Sequence, residues 1–77
     1  MTYSKVNLEL VTRQELGWRI YQAIERTGLP REEIAARLNV SLRTINYWQS
    51  GIKLPGLPKT VELAKLLNVS LDSLLLD

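Results

Sequence analysis

The side chains best equipped to bind something lie between positions 31 and 50. Leu42, Arg43, Asn46 and Tyr47 share one side of a helical projection, because residues three and four apart are neighbours on a helix surface. A guanidinium carries five N–H donors, an amide has donors and an acceptor, and a phenol both donates and accepts. That set suits polar edges and anions. Catalysis fits less well. The chain has no His and no Cys, so the commonest general bases and zinc ligands are missing. Its one adjacent carboxylate pair, Glu32–Glu33, falls in the first turn of an expected helix, where negative charge complements the macrodipole. No enzyme, metal site, cofactor or small-molecule ligand is expected.

The balance of charge points the same way. Net charge is only +2, but no acidic residue occurs between 34 and 61, while Arg37, Arg43, Lys53 and Lys59 all fall there. Beyond it, Glu62, Asp72 and Asp77 stand against Lys65 alone. A basic middle suggests a local anion-facing surface; four ordinary solvated side chains are the plainer explanation. The 77 residues, 45% of them hydrophobic, suffice for one small core and one expected domain. No run of about 18 apolar residues occurs and the N-terminus lacks a signal-peptide layout, so no membrane association and a cytoplasmic location are expected.

The elements that must position these residues can be marked by their caps. Residues 1–11 read as an N-terminal arm: Val6, Leu8 and Leu10 alternate with Asn7 and Glu9 as in a short strand. The arm is expected either to be ordered, through Tyr3 to Leu10, against Trp18 and Tyr21 or between subunits, or to fray. Residues 12–77 then form the main domain. Thr12 and Glu15 have capping-box spacing, Leu16, Ile20, Ala23, Ile24 and Thr27 make one face, and Gly28 stops the first helix. A second helix begins at Pro30 and ends at Asn39, a residue that tolerates the left-handed conformation. Ser41 caps a third, 42–50, which Gly51 ends. Pro58 opens a fourth with Val61, Ala64 and Leu67 inward, and Asn68 stops it; Ser70 caps a fifth, 71–76. The fold class is therefore all-α, with five helices and a short strand or arm.

Within 31–50, Ala35 is small where two helices must approach, and Ile34, Leu38, Val40, Ile45 and Trp48 have the spacing that locks the third helix across the second. The pentapeptide Leu-Asn-Val-Ser-Leu at 38–42 recurs at 67–71. Only the first copy leads into a polar, acid-free face. The second leads into Asp72 and three leucines, so it reads as core closure rather than recognition.

With LGWRI in the first helix, LPREEIAARLNVSLRTINYWQSG through the middle and LPKTVELAKLLNVSLDSLL at the end, residues 15–76 resemble the lambda-repressor/Cro-like (XRE) helix-turn-helix family. The resemblance implies a compact domain whose third helix enters the major groove of double-stranded DNA. It implies a backbone contact at Arg31, where the family often has Gln, and base contacts at Ser41, Leu42, Arg43 and Tyr47. Asn46 carries over as a backbone or base contact and Lys53 as a phosphate contact. Many relatives pair an Arg in the first helix with a Glu near the end of the third; Ile24 and Gln49 stand there instead. Leu42 occupies a place often held by a polar base reader, and a thymine methyl is its natural partner.

Arg43 suits bidentate contact with guanine, with a phosphate contact or a solvated side chain as the alternatives. Tyr47 serves either to contact bases and sugars or to cover the helix. Trp48 is expected in the core, and one or more of Leu74, Leu75 and Leu76, or the N-terminal arm, at a homodimer contact. The expected function is sequence-specific DNA binding by a homodimeric repressor. The rival is a protein-interaction module, such as an antitoxin-like partner, kept in view by the Trp18–Tyr21 face and the C-terminal leucines.

Overall fold

In the computed structural model the backbone is described for residues 5–75 and side chains for residues 13–75. Five α-helices follow one another among these residues: α1 Lys5–Thr27, α2 Arg31–Leu38, α3 Leu42–Ser50, α4 Leu57–Leu67 and α5 Leu71–Leu75. None is long and apolar enough to cross a membrane.

The caps explain the boundaries. Ser41 accepts a hydrogen bond from the Thr44 amide at 3.1 Å and so starts α3. Pro30 precedes α2 in an extended conformation, and its carbonyl accepts from the Glu33 and Ile34 amides. Asn39 and Asn68 end α2 and α4 with φ of 59° and 58°, the left-handed state expected of a helix-ending asparagine. Gly51 ends α3 with φ of 79°. Ser70 caps α5 by accepting from the Ser73 amide.

The first helix departs from expectation. It begins at Lys5, not at Thr12, and the strand expected over Val6 to Leu10 is helix. An isolated strand has no ladder to join, and no strand occurs among the described residues to offer one. Extending an existing helix adds one hydrogen bond per residue without a new nucleus, and that term wins. The division between an arm at 1–11 and a domain at 12–77 thus falls inside α1. Tyr3 lies outside the described residues.

One core joins all five helices. Leu16, Ile20, Ala23 and Ile24 of α1 meet Ile34, Ala35 and Leu38 of α2, Ile45 and Trp48 of α3, Leu63, Ala64 and Leu67 of α4, and Leu74 of α5. Trp48 is inward, as its spacing from Ile45 requires. Thr27, expected inward, is exposed; its hydroxyl donates to the Ile24 carbonyl at 2.9 Å and accepts from the Leu29 amide. On α4 the inward set is Thr60, Leu63, Ala64 and Leu67, while Val61 is only half-buried. A strict three-residue repeat drifts off the face of a 3.6-residue helix, whereas a three-and-four repeat holds it. The buried Thr60 hydroxyl donates to the Gly56 carbonyl at 2.9 Å.

α1 and α3 cross at Gly17. A Cβ there would lie 2.7 Å from the Gln49 carbonyl oxygen and 2.8 Å from that of Trp48. Only a glycine permits this approach.

Candidate nucleic-acid interface

The outward face of α3 follows from what its other face buries. With Ile45 and Trp48 in the core, helical geometry turns Leu42, Arg43, Asn46 and Ser50 to the surface, and all four are exposed. Tyr47 is half-buried beside them. Leu42 is 39% exposed and stands in the first turn, an apolar side chain on an otherwise polar face.

Arg43 makes no ion pair and no hydrogen bond among the described residues. Lys53, just past α3, sets its ammonium 5.5 Å from the centre of the Tyr47 ring, while its amide donates to the Tyr47 carbonyl at 3.4 Å. Tyr47 and Lys53 therefore form one unit at the end of the face, an aromatic plate with a cation over it.

The four cations of the basic middle divide. Arg37 pairs with Glu33 one turn away at 2.9 Å. Lys59 donates to the Leu38 carbonyl at 2.6 Å and lies 3.5 Å from Glu62. Its charge answers the negative end of the α2 dipole. Arg43 on α3 and Lys53 just past its end pair with no acid among the described residues, so the acid-free stretch contributes two such cations and not four.

Ser41 is exposed, but its hydroxyl oxygen is occupied as the α3 cap and lies 3.0 Å from the Thr44 hydroxyl. Asn46 accepts through Oδ1 from the Gln49 Nε2 at 3.3 Å. Arg31, first residue of α2, is 28% exposed at its side chain and engaged on three sides. Its Nε donates to Gln49 Oε1 at 2.9 Å, its Nη2 donates to Glu25 Oε2 at 2.9 Å, and its guanidinium carbon lies 5.6 Å from the Tyr21 ring centre. Tyr21 in turn stacks on Trp18, with ring centres 5.5 Å apart.

Sequence reasoning missed the partners of Arg31. Gln49 drew notice only as the absence of a charge, with Ile24 opposite it. Ile24 is indeed fully buried in the core, and the end of α3 is tied to α2 through Arg31 instead. Neutralising both members of an ion pair together leaves no buried charge without a partner.

The C-terminal leucines also divide. Leu74 is core, 2% exposed, which leaves Leu75 and Leu76 as the leucines of the three expected at a subunit contact. Leu75 is exposed, and Leu76 lies outside the described residues.

A short helix crossed by a second whose outer face is polar, solvent-facing and acid-free defines a helix-turn-helix domain. The family model described as helix-turn-helix matches residues 20–74, and the chain belongs to that family, of the Cro/C1 (XRE) type. This is a family of DNA-binding regulators. No curated protein and no solved structure matches the chain.

Proposed function

We propose that the protein is a sequence-specific repressor that binds double-stranded DNA as a homodimer, with α3 of each subunit in the major groove. The observation that carries this reading is the outer face of α3, where Arg43 stands among Leu42, Asn46 and Tyr47 without an acidic partner among the described residues. In the groove, Arg43 pairs with guanine O6 and N7, and Leu42 lies against a thymine methyl. Lys53 and the outer guanidinium N–H groups of Arg31 hold phosphates, and the Ser41 turn approaches the backbone. The exposed Leu75 supports a contact between two copies. The cytoplasm is the compartment that such a role implies.

Selection of bound duplexes from a random pool tests the reading. The expected product is a palindrome with half-sites about 34–36 Å apart on one face. Recovery of random sequence, with binding of equal strength to any duplex, would overturn it.

A second reading has its own observation. Trp18 is 54% exposed and stacks on Tyr21 of α1. Such a patch suits a protein partner, as in an antitoxin-like module. Stoichiometric co-purification of a protein, lost on Trp18→Ser and unaffected by Arg43→Ala, would favour it.

A further inference from the structure

The contacts of Arg31 run inward from α2 and end on the face of α3. Arg31 donates to Gln49, and Gln49 donates to Asn46. The chemistry of the first member fixes the orientation of the others. A guanidinium has no acceptor, so Gln49 must turn its oxygen to Arg31. Its opposite end is then the amide NH2, which can only donate. Asn46 must meet that NH2 group with Oδ1, which leaves its Nδ2 without a partner among the described residues on an exposed side chain. Two amides that could each adopt either orientation are thereby set by one cation.

We propose that Arg31 is a positioning residue for recognition, acting through Gln49 to make Asn46 present hydrogen-bond donors to the DNA. An Asn free to rotate can match the donor–acceptor pair on the edge of adenine. Held this way round, Asn46 selects an acceptor: guanine O6 or N7, thymine O4, or a phosphate oxygen. Glu25 and the Tyr21 ring fix the guanidinium from the α1 side, so the device spans three helices. The inference rests on the DNA-binding reading for its function, but its geometry can be tested without DNA.

The test uses Gln49→Glu. A carboxylate still pairs with Arg31 but offers Asn46 an acceptor in place of a donor, so the Asn46 amide inverts. In the free protein, the Asn46 side-chain N–H signals should move downfield and exchange more slowly with solvent. Unchanged signals would overturn the inference whatever the protein does with DNA. On the selected duplex, Gln49→Glu should weaken binding about tenfold in the wild-type background and less than twofold in an Asn46→Ala background. An added negative charge acting simply by repulsion would cost the same in both backgrounds, and that result would also overturn the inference. Gln49→Met keeps the length of the side chain and removes both amide groups; its loss should likewise vanish when Asn46 is Ala. If the wild type selects no duplex, the DNA-binding reading fails, and the N–H measurement still decides the geometry.

Discussion

Gly17 of α1 passes Gln49 of α3 so closely that a single added methyl would lie 2.7 Å from the Gln49 carbonyl oxygen. The atoms in the way are backbone: Trp48 O at 2.8 Å and Gly51 N at 3.0 Å are the next nearest. Backbone atoms of two packed helices cannot swing aside as a flexible side chain does. Gly17→Ala should therefore destabilise the domain by about 2 kcal/mol despite alanine's better helix propensity. Thermal unfolding by circular dichroism checks this, and a rise in Tm would contradict the crossing geometry.

Arg43 and Lys53 should fail differently. Arg43→Ala is expected to cost about 1–3 kcal/mol on the selected duplex and to relax preference at one base pair. Lys53→Ala should weaken binding to all duplexes alike and lower the salt slope by about 1. Titrations on selected and scrambled duplexes at several salt concentrations separate the two roles. Equal losses on both duplexes for both variants would refute the assignment.

Asn39 has φ of 59°. Alanine in that conformation is strained, so Asn39→Ala should cost about 1–2 kcal/mol. Asn39→Gly should stay within about 1 kcal/mol of the wild type, since glycine adopts the left-handed region freely. Urea unfolding of the pair is the measurement, and the order of the two variants is the decisive result.

Lys59 closes the end of α2 from α4 through its 2.6 Å bond to the Leu38 carbonyl. Lys59→Met keeps the aliphatic stem and removes the charge, at a cost of about 1 kcal/mol for a partly exposed group. DNA affinity, compared at a temperature where both proteins are folded, should change less than it does for Lys53→Ala. A larger loss of affinity for Lys59→Met would mean that Lys59 faces the phosphates.

What could be read from the chain was local. Ser41, Asn39, Gly51 and Asn68 announce helix ends because each acts on amides or carbonyls within a few positions of itself. Trp48 could be placed inward because Ile45 lies one turn behind it. The bonds from Arg31 to Gln49 and from Lys59 to the Leu38 carbonyl join residues 18 and 21 positions apart. Periodicity carries no information about such pairs. No local signal marks Gly17, since its requirement comes from a helix whose position is set by the whole core. The alternation of Val6, Leu8 and Leu10 misled for a related reason: a strand pattern has meaning only where another strand can pair with it.

The matched bends at Asn39 and Asn68 bear on the order of events as the chain folds. Each joins two helices adjacent in sequence and is closed by bonds back to carbonyls three to five residues earlier. Contacts of such short range form early and cost little loop-closure entropy. Bringing Gly17 against Gln49 requires α1 to reach past all of α2. That docking should form the folding barrier, so Gly17→Ala should slow refolding in stopped-flow experiments, while Asn39→Gly should leave its rate nearly unchanged; the reverse order would place the barrier at the turn. Until α1 docks, Arg31 lacks Glu25 and Tyr21, so the proposed DNA-binding surface should be the last part of the molecule to mature.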